Sequence, residues 1–138
     1  MHQKIIITFS LAVWFATISW KQQGQSLVCA SLFSCVESCW YRYHEGRWWT
    51  SWQQHYTLTL LSPLIFFSCS MHILLFPLKV WLFEIVAGYY LQLLNNGKNP
   101  AWIYYGPNAY CHGNILLSLS MWLRWMALGF FFNTIFNC

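Results

Sequence analysis

Residues 57–78, "TLTLLSPLIFFSCSMHILLFPL", run for 22 positions without Asp, Glu, Lys or Arg. As a helix rising about 1.5 Å per residue, the run is long enough to cross a hydrocarbon layer about 30 Å thick. A second run of the same length, residues 115–136, is interrupted only by Arg124. In water, helices that are apolar all round must be enclosed by other protein, and that outer shell must itself be wetted. This chain has little with which to build one: 7% of its 138 residues are charged and 58% are apolar. A soluble domain ordinarily carries about a quarter charged residues. The reading is an all-α integral membrane protein, a helical bundle of four to five spans, with the lipid bilayer as the partner of its outer surface.

The remaining segments fit that plan. Residues 5–20 form an uncharged run between Lys4 and Lys21. It reads either as a signal peptide or as a signal-anchor helix; the anchor is preferred because the small residues around Thr17 and Ser19 make a poor cleavage site. Residues 1–25, ending in the polar "KQQGQ", are therefore set apart from a multi-pass domain over residues 26–138. The segment "SLVCASLFSCVESCWYRY" follows and carries Glu37. Pro77, Leu78 and Lys79 offer a place to end the span at 57–78 and turn, so that "VWLFEIVAGYYLQLL", residues 80–94, returns as a further span. Residues 95–114 combine turn pairs (Asn96-Gly97, Asn99-Pro100, Gly106-Pro107) with aromatic rings, as a structured interfacial loop does.

Charge orients the chain. The net charge of +4 is spread singly from Lys4 to Arg124 and makes no patch, which disfavours nucleic acid as a partner. If every segment spans, Lys4, Arg42, Arg47 and Lys98 fall on one side and Lys21 and Lys79 on the other. The positive-inside bias then places loops 42–56 and 95–114 in the cytoplasm, with or without the first segment. Six cysteines form no C-x-x-C pair, so they read as small apolar residues and not as a disulfide framework. The Cys111-His112 pair lacks a second pair, so no metal and no cofactor is assigned.

Glu37, Glu84 and Arg124 all lie inside apolar segments. A charge at the centre of a spanning helix costs about 2.5–3.5 kcal/mol on insertion scales, so each calls for a partner. Counting about 1.5 Å per residue puts Arg124 ~15 Å from the cytoplasmic end of its segment, Glu37 ~16 Å from the outer end of its own, and Glu84 only ~7–8 Å from the turn at 77–79. The expectation is a Glu37–Arg124 ion pair at mid-depth, with no second carboxylate sharing the face of Glu84. Gly88 and Gln92 continue that face at helical spacing, and such small and polar stripes face protein. No G-x-S-x-G, H-E-x-x-H or phosphate-binding loop is present, and there is no Asp to complete a triad; an enzyme is not expected. His72, on the longest apolar run, reads as a packing residue.

The strings "FEIVAGYYLQLL", "NPAWIYY" and "CHGNILLSLSMWLRWMALG" resemble the transmembrane protein 229 family, whose members look like the ABC-transporter type IV membrane domain. In that family a Glu- and Gly-bearing helix leads into an interfacial Pro-Trp-x-Tyr loop, then Gly and a final helix with Trp and Gly. Glu84 and Gly88 match the helix, Pro100, Trp102 and Tyr104 the loop, and Gly113, Trp122 and Gly129 the last part, over residues 81–129. Ala101 separates Pro100 from Trp102, which the family tends to keep adjacent. A fainter match puts Glu37, Trp52 and residues 61–66 on the family's first two spans, making Glu37 and Glu84 equivalent members of two halves. The resemblance implies membrane location and helical architecture, without a substrate or catalytic residue.

Three functional readings follow. The first is a transporter-like membrane component with a path along the polar stripe at Glu84. The second is a structural or assembly subunit that docks membrane-protein partners, or further copies of itself, through the small-residue faces at Gly88 and Gly129. The third is a reading frame without function, suggested by ten Trp, eleven Phe, six Cys and no Asp.

Overall fold

The computed structural model describes residues 1–48, 51–66 and 73–136. They are mostly helical: α1 (His2–Thr17), α2 (Trp20–Glu45), α3 (Trp52–Leu61), a one-turn α4 (Pro63–Phe66), α5 (Phe76–Leu94) and α6 (Leu119–Phe136). A small antiparallel hairpin, β1 (Ala109–Tyr110) and β2 (Ile115–Leu116), lies between α5 and α6.

Local chemistry sets the helix limits. Ser19 and Gln22 form a reciprocal cap, each side chain bonding the other's backbone N–H at 3.3 Å, which starts α2 at Trp20. The break expected at residues 21–25 is therefore corrected: Lys and Gln are good helix formers, and once capped the stretch becomes the opening turns of α2. Gly46, at φ +70°, closes the other end in the left-handed conformation that glycine adopts freely. Ser51 caps α3 by accepting from the Gln54 N–H at 3.0 Å.

The span expected over residues 57–78 is not one helix. α3 ends at Leu61, Pro63 opens the separate turn α4, and α5 begins at Phe76; residues 67–72, including Cys69 and His72, lie outside the described residues. The turn expected at 77–79 is also corrected. Pro77 sits in the first turn of α5, where its missing N–H forfeits no helical bond and its fixed φ suits the helix. With the 3-10 turn before it, this helix runs Ile73–Leu94, and among the described helices it alone is long and apolar enough, by length and composition, to cross a membrane. The last helix starts later than residue 115, because Ile115 and Leu116 pair with Tyr110 and Ala109. Ser118 then caps α6 by accepting from the Met121 N–H at 3.2 Å.

Contacts at the helix ends fix an up-and-down order. Lys4 donates to the Leu94 carbonyl at 3.3 Å, joining the start of α1 to the end of α5. Asn95 donates to Gln53 at 2.7 Å, and Tyr41 to the Ala101 carbonyl at 2.7 Å. The start of α3 and the end of α2 thus share that same end. At the opposite end Gly129 of α6 lies against Phe76 of α5 so closely that an added Cβ would stand 2.6 Å from the ring. The core joins Cys29 and Ala30 of α2, Leu58 and Leu61 of α3, and Val80 and Phe83 of α5.

Beside the apolar core, the bundle encloses several polar side chains and leaves apolar ones outside. Ser26, Gln54, Thr57, Ser62, Glu84 and Asn114 are buried. Leu78, Leu82 and Val86, four residues apart along α5, are exposed, as are Ile5, Phe9 and Val13 of α1 and Leu119, Leu123 and Phe130 of α6.

Candidate functional site

α5 carries the site's main residue. Glu84 lies about eight residues, or ~12 Å, beyond the start of the helix, because α5 begins at Phe76 and runs unbroken through 77–79. It is 6% exposed, and neither of its carboxylate oxygens has a hydrogen-bond partner. The shallow, surface-reaching Glu84 expected from the sequence is thereby corrected.

A cavity of about 80 Å³ faces this carboxylate, walled by α2, α3, α5 and α6 and covered by the loop after α5. Glu37 of α2 lines the same cavity. The expectation that no second carboxylate accompanies Glu84 held only for the face of its own helix; the second one comes across the bundle. Glu37 accepts a hydrogen bond from the side-chain amide of Gln54 on α3. Gln54 is held in place in turn, since the first turn of α3 is fixed by the Ser51 cap and the glutamine is 2% exposed.

Arg124 does not complete the expected ion pair. Among the described residues the ion pair within 4 Å joins Arg47 to Glu45, and neither Glu37 nor Glu84 reaches Arg124. Residues 115–116 are spent on β2, so Arg124 falls about five residues, ~8 Å, inside α6, where a long side chain can reach outward. It is exposed and lines a groove of about 520 Å³ between α2 and α6. Glu37, Trp102, Tyr104 and Trp125 line both the groove and the cavity, so the two adjoin along these side chains.

Trp102 and Tyr104, in the loop after α5, form the cover. Trp102 donates its indole N–H to the Asn114 carbonyl at 2.9 Å, and the Tyr104 N–H bonds the Gly113 carbonyl at 2.8 Å. Gly113, at φ +81°, allows this approach, since a Cβ there would lie 2.8 Å from Ile103. Pro100 is exposed and touches neither the cavity nor the groove. Tyr104 neighbours Glu84; burial first, and the nearby Glu84 carboxylate second, push its phenol well above the ordinary range.

Asn114 organises this cover and was not singled out from the sequence. It is fully buried, accepts from Asn99 at 3.2 Å and donates to Gln92 of α5 at 3.3 Å. Gly88 makes room for it: a Cβ at Gly88 would overlap the Asn114 side chain. Gly88 and Gly129 therefore serve contacts within the chain, with Asn114 and Phe76. Gln54 and Tyr41 were missed as well. An Asn after Gly-rich turn residues and a Gln in a helix's first turn carry no mark in the sequence that separates a buried partner from a solvated one.

Among the described residues no group of three or more His, Cys, Asp or Glu side chains is gathered as metal ligands are. Cys29, Cys35, Cys39 and Cys111 are free thiols. Comparison with protein-family models, curated proteins and solved structures finds no match for this chain.

Proposed function

We propose that the chain is a membrane-embedded, transporter-like component whose working site is the cavity shared by Glu37 and Glu84. One observation carries the reading: Glu84 is buried with both oxygens unserved, while Leu78, Leu82 and Val86 on another face of the same helix lie open. Water outside and hydrocarbon inside would favour the reverse arrangement. Lipid outside and a polar site inside favour this one, because intramembrane ionisable residues face the bundle interior and mark solute or proton paths. The shared end of loops 42–56 and 95–114 supports placing both in the cytoplasm, since Arg42, Arg47 and Lys98 lie there and Lys4 bonds into it. The competing assembly role loses support because the faces at Gly88 and Gly129 are filled from within the chain.

The path is tested in proteoliposomes loaded with the pH-sensitive dye pyranine. After an external acid pulse, vesicles holding the intact chain acidify faster than empty ones, and Glu84→Gln removes most of the difference. Equal rates for the intact and Glu84→Gln chains would contradict a path through this site.

A further inference from the structure

The cavity's two carboxylates and its aromatic wall identify the chemistry of what fits it. We infer that it takes the head of a small organic cation, a protonated or quaternary ammonium, whose apolar tail lies in the groove between α2 and α6. The inference rests on the reading of this cavity as the working site and adds the ligand class.

Four features point to this class. Glu84 is 94% enclosed, counting its 6% exposure, with the neutral phenol of Tyr104 beside it and, among the described residues, no cation within 4 Å, so a cation would supply the missing charge partner. Glu37 adds a second carboxyl group to the same space. Phe33, Phe83, Trp102, Tyr104, Trp125 and Phe132 line it with rings, whose electron-rich faces attract ammonium groups and favour them over strongly hydrated metal ions. The size agrees: about 80 Å³ compares with about 30 Å³ for a water molecule in the liquid, enough for a head group of a few heavy atoms. The larger groove, about 520 Å³ and mostly apolar in its lining, accommodates a tail.

Arg124 gives the inference a sign. It stands on the groove wall and, with Glu37 and the neutral phenols of Tyr41 and Tyr104, is the charged or titratable company a bound molecule meets there. A cation is repelled by the guanidinium, whereas an anion such as a lipid phosphate is drawn to it.

The test uses the purified full-length chain in detergent, with benzyltrimethylammonium as the cationic probe and neopentylbenzene, its uncharged carbon isostere, as the control. Binding is followed by tryptophan fluorescence and calorimetry. The expected result is saturable binding of the cation at least about tenfold tighter than the isostere, weakened about tenfold by Glu84→Gln and strengthened by Arg124→Gln. Equal binding of cation and isostere would show a merely apolar cavity and overturn the inference. Weaker cation binding in Arg124→Gln would show that the guanidinium supports the bound molecule instead of repelling it, and would overturn the inference too. Should Glu84→Gln lose its helical circular dichroism, the cation-to-isostere ratio on the intact chain and the Arg124→Gln result decide. Binding is an equilibrium readout independent of flux. A chain that binds the cation but leaves the pyranine signal unchanged contradicts the path alone, and a chain that conducts through Glu84 without preferring the cation contradicts the ligand class alone.

Discussion

Glu37 and Glu84 enter one cavity from α2 and α5, where Gln54 donates to Glu37, while the Tyr104 phenol neighbours Glu84 without closing a hydrogen bond to either oxygen. A buried polar group without a partner forfeits its solvation with no return within the protein. Sites that break a rule of folding in this way are where function is usually built.

Removing the cost should therefore stabilise the fold. Glu84→Leu is expected to raise stability in detergent by about 1–3 kcal/mol, read as a higher midpoint in a thermal circular dichroism scan, while abolishing the pyranine signal. A lower midpoint would mean that Glu84 is held by a partner.

The opposite sign is expected across the cavity. Gln54→Leu strips Glu37 of its donor and should cost about 1–3 kcal/mol, and adding Glu37→Leu should return most of that loss. Additive losses in the double variant would show that the two side chains are not coupled.

Gly88 and Asn114 should be coupled as well. A methyl at Gly88 overlaps the Asn114 side chain, so Gly88→Ala should cost about 1–3 kcal/mol in the intact background and much less in Asn114→Ala. The same thermal scans on the two singles and the double measure this, and an unchanged cost in the Asn114→Ala background would contradict the contact.

How much of this was legible beforehand differs by level. The apolar segments predicted helices, and helices formed over most of them, because hydrophobic length and Ser caps act locally. The breaks were misplaced: Pro77 reads as a stop and as a good first-turn residue with equal right, and only packing of α5 on α6 through Phe76 and Gly129 decides between them. That error carried Glu84 too near the surface and hid its approach to Glu37. For Arg124 the error ran the other way: the pairing of Ile115 with Tyr110 shortens α6 from the front and leaves the residue nearer the helix end than expected. Depth counted along a sequence inherits every error in the helix ends. Glu37 and Glu84 were singled out because charge stands out in such a chain, and Trp102 and Tyr104 through the family resemblance alone, whereas Gln54 and Asn114 acquire their roles from neighbours distant in sequence.

Leu82 separates the two solvents. It is 61% exposed on α5. With water outside, Leu82→Lys would be neutral or would improve solubility; with lipid outside, it opposes insertion by about 2.5–3.5 kcal/mol. The expected outcome is a loss of membrane-inserted chain, measured as the inserted fraction in a glycosylation-mapping assay, and an unchanged fraction would count against lipid at this face.

The central claim, that hydrocarbon covers the outer faces of α1, α5 and α6, is tested most directly by washing membranes of expressing cells with alkaline carbonate and following the full-length chain. Retention in the pellet, with release only by detergent, is the predicted result. Recovery of the intact, helical chain in the carbonate supernatant would contradict it.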